Sequence, residues 1–294
     1  MVIFTGSGVA IVTPFDSEGA INYKALEKLL DFQINNQTDA IIICGTTGEA
    51  STLTDEEQLE CIRYTAQYVN KRVPVIAGAG SNDTAHGVNL AKMAQKSGAD
   101  ALLLVSPYYN KCTQKGLIKH FEAQASAVDI PIIIYNVPTR TSLNILPSTV
   151  YELSKIPNIV AVKEACGDIA QVAEIARLCG DDFTIYSGND DYTLPLMSVG
   201  GKGVISVVAN IAPKQTRDMT AKFLEGDIIG SREIFLKMLP LVRALFSEVS
   251  PVPVKTALNL MGMNAGTCRM PLLNEMDENN YKFLKTEMQA YGLL

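Results

Sequence analysis

Eight short runs of apolar and β-branched residues recur along the chain, at residues 9–12, 40–44, 73–77, 101–105, 132–136, 159–164, 184–187 and 203–207. Most are apolar throughout instead of alternating with polar residues, which is the pattern of parallel strands covered on both faces. Segments of helical period lie between them, at 23–35, 55–69, 85–97, 116–127, 148–154 and 169–179. Local signals agree with this division. Thr54 and Glu57 have the spacing of a capping box, and Pro147 breaks the chain before the helix that Ser148 begins. Pro74 and Pro131 each stand at the start of a run, where a missing N–H does least harm.

Eight strand–helix units over ~225 residues predict a (β/α)8 TIM barrel; an open doubly wound sheet would have fewer strands and a Gly-rich nucleotide turn after the first. Here the first run leads into Thr13-Pro14-Phe15 instead. The expected organisation is a catalytic barrel over residues 1–227 and a C-terminal helical subdomain over 228–294, with helices at 233–247, 253–261 and 279–291.

With 47% hydrophobic and 19% charged residues, the chain can bury a large core and is not of disordered composition. A net charge of −6 with scattered Lys and Arg argues against nucleic acid or an anionic membrane as partner and favours a small molecule. No stretch approaches the ~20 apolar residues of a membrane span, and residues 1–8 lack the marks of a signal peptide, so a cytoplasmic location is expected. The six cysteines show no C-x-x-C spacing and read as reduced, small hydrophobic residues. His86 and His120 have no His, Cys or acid at a metal-ligand spacing, so no metal site is expected. The chemistry must run without a histidine base or a metal.

In a barrel of this kind the site lies at the C-terminal ends of the strands, and four such ends carry polar residues. Ala161-Val162-Lys163-Glu164 places an ammonium and a carboxylate on opposite sides of the sixth strand. An interior Lys163 would lose its charge by desolvation and become a nucleophile, whereas at the ordinary pKa of ~10.4 only roughly one part in a few thousand is neutral at pH 7. A lysine merely paired with a neighbouring acid fits the same residues. Tyr135, closing the fifth strand next door, can move protons for an imine on Lys163 or can simply pack. Gly45-Thr46-Thr47-Gly48-Glu49 offers N–H groups and hydroxyls to a carboxylate, or is an ordinary tight turn, and Arg140 is a second carboxylate clamp. Ser106-Pro107-Tyr108-Tyr109-Asn110 is compatible with packing, an interface or a hydroxyl relay. The glycines at 200–203 precede the eighth strand and so lie on the opposite face, which predicts an unphosphorylated substrate and no pyridoxal phosphate or nucleotide cofactor.

Taken in order, Thr13-Pro14-Phe15, Gly45-Thr46-Thr47-Gly48-Glu49, Gly78-Ala79-Gly80-Ser81-Asn82, Pro107-Tyr108-Tyr109-Asn110, Tyr135-Asn136-Val137-Pro138-Thr139-Arg140-Thr141, Lys163-Glu164 and Ser187-Gly188-Asn189-Asp190 make the chain resemble, from end to end, the dihydrodipicolinate synthase family of the N-acetylneuraminate lyase superfamily. The resemblance implies a lyase that condenses pyruvate with aspartate 4-semialdehyde on the diaminopimelate route to lysine. It assigns Lys163 to the imine, Tyr135 to proton transfer, Thr46 to a link between Tyr135 and Tyr109, and Thr47 to the pyruvate carboxylate. Gly188 and Ile205 match positions that line the pocket through their backbone. Because Tyr109 in this family comes from the neighbouring subunit, the resemblance also implies a homo-oligomer, commonly a dimer of dimers.

Sister aldolases and lyases acting on sugar keto acids share the lysine and tyrosine, and Arg140 speaks for the synthases, which use it on the semialdehyde carboxylate. A non-catalytic barrel that binds small carboxylates would require Lys163 to be buried and paired. Lysine-inhibited bacterial members carry an acid where this chain has His86, so weak or absent feedback inhibition is expected despite Asn82 and Tyr108 fitting the pattern.

Overall fold

A computed structural model describes every residue except Met1 and Asn274. Eight parallel strands close into a barrel in chain order: β1 (Gly6–Ala10), β2 (Ala40–Ile43), β3 (Val75–Gly78), β4 (Ala101–Val105), β5 (Ile132–Asn136), β6 (Ile159–Glu164), β7 (Thr184–Ser187) and β8 (Gly203–Ser206). The helices are α1 (Tyr23–Asn35), α2 (Asp55–Val69), α3 (Thr84–Lys96), α4 (Gln114–Ala125), α5 (Pro138–Thr141), α6 (Pro147–Ser154), α7 (Ile169–Cys179), α8 (Thr193–Ser198), α9 (Pro213–Leu224), α10 (Ile228–Leu245), α11 (Val252–Leu260) and α12 (Glu278–Tyr291).

The strands read as unbroken apolar runs because each face meets a different core. Ile42, Leu103, Ile133, Tyr135, Ala161 and Tyr186 fill the barrel interior. Ile41, Ile43, Leu102, Leu104, Ile134 and Val162, at alternate positions, pack outward against the helices. Met238, Leu241, Val254, Leu258, Leu284 and Met288 of α10 to α12 join that same outer core. Helix starts follow local chemistry: the Thr54–Glu57 capping box is formed in full, Asp227 accepts from Gly230 N at the start of α10, and prolines open α5, α6, α9 and α11.

Two departures from the sequence pattern have clear causes. The first strand is Gly6–Ala10 instead of 9–12, because β1 and β8 run so close that a Cβ on Gly203 would lie 1.9 Å from Gly6 O. Its opening Gly6-Ser7-Gly8 carries no apolar signal. Helix α9 lacks a strongly apolar stripe because part of its buried face is threonine: Thr216 Oγ1 donates to Ala212 O (2.9 Å) and Thr220 Oγ1 to Thr216 O (3.2 Å), which satisfies the hydroxyls inside the core.

Candidate active site

Strand register puts Tyr135 opposite Lys163 and Asn136 opposite Glu164 on the neighbouring strands β5 and β6. The period of two sends each pair to its own face. Glu164 points outward, where Oε1 accepts from Asn136 Nδ2 (2.9 Å) and Cys166 N (2.9 Å), and Oε2 accepts from Gln171 Nε2 (3.1 Å). The acid next in sequence is therefore engaged elsewhere, and Lys163 forms no ion pair among the described residues. Lys163 points inward, is buried, and holds its Nζ 4.2 Å from the centroid of the Tyr135 ring. Burial, with a smaller push from the Arg140 guanidinium, lowers the Lys163 amine to about 7, against an opposing pull from Asp190. Near neutral pH a large share of this amine is an unprotonated nucleophile.

Gly188 leaves the room that the lysine stem occupies: a Cβ there would lie 3.1 Å from Lys163 Cε and 2.7 Å from Ala165 Cβ. Asp190, two residues on, is buried and accepts from Ser206 Oγ (2.6 Å), Val207 N (3.0 Å) and Val208 N (3.1 Å). Ser206 Oγ itself accepts from Ala209 N (2.8 Å), which fixes the hydroxyl beside the carboxyl. Burial pushes the Asp190 carboxyl up, against these three donors and the Lys163 amine, and its negative charge in turn pulls the Lys163 amine upward. The sequence motif contained Asp190 without indicating a role, since only the fold brings the loop after β7 against the turn after β8.

Above the lysine a cavity of about 450 Å³ opens at the C-terminal ends of the strands, lined in part by Thr46, Tyr108, Tyr135, Arg140 and Thr141. Lys163 does not form part of its wall; Tyr135 belongs to both the wall and the lysine's surroundings. Burial pushes the Tyr135 phenol up to about 12, against the opposing influence of Arg140 and the Thr46 hydroxyl, so the ring carries its proton at neutral pH. The Thr46-Thr47 turn is closed by Glu49 N donating to Thr46 O (3.1 Å) and Ala50 N to Gly45 O (3.3 Å), and is tied to the first strand's exit by Thr13 Oγ1 donating to Gly48 O (2.6 Å). Thr47 is buried in that turn and Ile205 in the barrel interior. Arg140 is exposed at the mouth, with Nη2 donating to Ser250 O at 3.3 Å.

Tyr109 stays apart from this cluster. It is 92% exposed, has φ of 71°, and does not line the cavity that Tyr108 helps to form. His86 lines the far end of the cavity, its Nδ1 3.0 Å from Ser81 Oγ and its Nε2 2.9 Å from Asp55 Oδ2. That acidic neighbour, 31 residues away in the chain, was not visible in the spacing around His86. Among the described residues no three or more His, Cys, Asp or Glu converge as a metal-binding group, and no helix is long and apolar enough to cross a membrane.

The geometry has close counterparts. The chain is 59% identical over 295 residues to the 4-hydroxy-tetrahydrodipicolinate synthase of Thermoanaerobacter sp. (strain X514), covering 100% of this chain and 99% of that protein. It is 58% identical over 292 residues to the enzyme of that name from Acetivibrio thermocellus, covering 99% of each. Among solved structures, the dihydrodipicolinate synthase of Thermotoga maritima superposes with a TM-score of 0.97 at 42% identity and 100% coverage of both chains. That of Aquifex aeolicus gives 0.96 at 44% identity and 99% coverage of both. The dihydrodipicolinate synthetase family model matches residues 3–290. With the barrel, the inward lysine and the tyrosine beside it all in register, the chain belongs to the dihydrodipicolinate synthetase family.

Proposed function

We propose that Lys163 is the amine through which this chain condenses pyruvate with L-aspartate 4-semialdehyde to 4-hydroxy-tetrahydrodipicolinate, in the diaminopimelate route to lysine. The observation that carries this reading is a buried lysine that forms no ion pair among the described residues and faces a tyrosine in register. Its neutral amine adds to the pyruvate ketone, water leaves, and the protonated imine draws electrons from the adjacent carbon as that carbon loses a proton. The resulting enamine attacks the aldehyde carbon of the second substrate. The amino group of that substrate then replaces Lys163 on the imine carbon, which closes the ring and frees the enzyme. The lysine imine is itself the electron sink, so the scheme calls on no further cofactor.

Tyr135, protonated at neutral pH, donates to the departing hydroxyl of the carbinolamine and takes the proton back in later steps, with Thr46 at its side. Thr47 and the backbone of its turn hold the pyruvate carboxylate, and Gly188 and Ile205 shape the floor. Arg140, exposed at the mouth, takes the carboxylate of the semialdehyde; a planar cation there favours this substrate over a sugar keto acid. Tyr109 completes the relay in the site of a neighbouring subunit, a role supported by its exposure and by the strain of φ 71° in a non-glycine residue. The assembly that follows is a dimer, doubled to a homotetramer, working in the cytoplasm.

Intact mass after borohydride reduction in the presence of pyruvate tests the reading. An adduct on wild type and none on Lys163→Ala, with turnover of aspartate 4-semialdehyde in a coupled assay, is the expected result. An adduct without turnover would indicate a sister aldolase, and no adduct would end the imine reading.

A further inference from the structure

A second buried lysine lies behind the Thr46-Thr47 turn. Lys255 on α11 and Glu49 at the end of the turn are 206 residues apart, yet Nζ and Oε1 are 2.6 Å from each other. Their side chains are only 2% and 1% exposed. Lys255 Nζ also donates to Thr267 O (2.8 Å) and lies 4.2 Å from the centroid of the Phe15 ring. The second Glu49 oxygen accepts from Arg269 N at 2.8 Å. Both carboxylate oxygens are therefore committed to α11 and the segment after it. That segment is itself pinned: Arg269 grips Glu57 at 2.6 and 2.7 Å and donates to Gly19 O and Thr52 O, and Phe15 N donates to Ala265 O (3.4 Å).

The backbone of Glu49 meanwhile belongs to the turn. Its N–H closes the turn on Thr46 O, and the residue adopts the left-handed conformation with φ 56° and ψ 35°, which a non-glycine residue holds only under constraint. A buried ion pair contributes little net stability compared with apolar residues of similar volume, so stability alone does not account for these two charges. What they supply is direction: the ammonium is held between Glu49 and Thr267 O, and the carboxylate between Lys255 and Arg269 N.

We propose that Glu49 and Lys255 are positioning residues for pyruvate binding, holding the Thr46-Thr47 turn from the C-terminal helices so that its hydroxyls and N–H groups meet the pyruvate carboxylate. This inference rests on the reading that Thr47 and its turn bind that carboxylate. Neither residue touches the reacting atoms. The C-terminal region thereby holds the Thr46-Thr47 turn through the Glu49–Lys255 salt bridge, with Arg269 N on the second Glu49 oxygen.

The test compares the neutral pair Glu49→Gln/Lys255→Met, the charge-conserving Glu49→Asp and the control Thr47→Val by steady-state kinetics, thermal unfolding and borohydride trapping over a range of pyruvate concentrations. Positioning predicts that in the double variant the KM for pyruvate rises ~10-fold or more, while kcat and the KM for aspartate 4-semialdehyde stay within ~3-fold. The pyruvate concentration giving half-maximal trapping rises in step. An unchanged pyruvate KM in the folded double variant overturns the inference, as does a parallel fall of all parameters that tracks lost folded protein. Should the double variant not fold, Glu49→Asp, which keeps both charges and shortens the reach by one methylene, is judged on the same criteria. A Thr47→Val variant that raises the pyruvate KM while the Glu49 variants do not defeats the inference alone. No effect of Thr47→Val defeats the reading on which it rests.

Discussion

Tyr135 and Lys163 are register partners on β5 and β6, and the lysine Nζ lies 4.2 Å from the centroid of the phenol ring. The contact arises because both residues occupy inward positions of neighbouring strands, while their sequence neighbours Asn136 and Glu164 pair on the outer face. One strand thus delivers an amine without a salt-bridge partner among the described residues to the interior and a fully bonded carboxylate to the exterior.

Lys163→Met should make the protein more stable, and by an amount that depends on pH. Burial holds the amine at about 7 in the folded chain, below its ordinary 10.5. Below pH 7 both states carry the proton and the folded state bears the full cost of a buried charge. Between 7 and 10.5 only the unfolded chain is protonated, so wild-type stability gains as pH rises, and above 10.5 the cost is gone. Scanning calorimetry should show the variant's unfolding midpoint ~3 °C or more above wild type at pH 7 and the gap closing by pH 10. A gap that does not change with pH would mean that Lys163 is not buried as a depressed base.

Asp190→Asn should shift the pH profile of imine formation. The Asp190 carboxylate raises the Lys163 pKa against the effect of burial, so removing its charge lowers the amine further. The acid limb of kcat/KM for pyruvate should move to lower pH by ~1 unit relative to wild type. An unmoved limb, accompanied only by a lower unfolding midpoint from the lost bonds to Val207 and Val208, would confine Asp190 to holding the turn.

Tyr135→Phe keeps the ring beside Lys163 and removes the proton carrier. Turnover should fall ~10²-fold or more, the usual scale for a positioned general acid–base, while the unfolding midpoint changes little. Prolonged borohydride trapping should still label the variant, at a reduced rate. Labelling as fast as wild type would assign the phenol to packing.

L-Lysine should inhibit weakly or not at all. His86 stands at the far end of the cavity where an acid would be needed to hold an ammonium, and its ring nitrogens are engaged by Ser81 and Asp55. A lysine titration of the steady-state rate checks this, and half-inhibition below ~1 mM would contradict it, since that affinity corresponds to more than ~4 kcal/mol of binding.

The barrel was legible because its strands are short and apolar on both faces, and α1, α2 and α7 begin and end where periodicity and caps place them. Lys163, Tyr135, Thr46, Thr47 and Arg140 were legible as polar residues at or just beyond the ends of such strands, while their parts in the chemistry came from the family resemblance. The glycine-led β1, the threonine-lined α9 and the Asp190 carboxyl's place near Lys163 were not legible, because close approach, internal satisfaction of hydroxyls and proximity between loops leave no periodic mark.

The amino-acid sequence alone determined the strand order of the barrel and the residue types available for chemistry, because both follow from local pattern and from the alternation of side chains along a strand. Only the tertiary structure decided that Glu164 is bonded on the outer face instead of neutralising Lys163, that Asp190 is the carboxyl acting on the lysine, and that Glu49 meets Lys255 across 206 residues. Charge pairing depends on distance in space, which chain separation does not report, and a lysine's pKa is set by whichever charges folding brings near it.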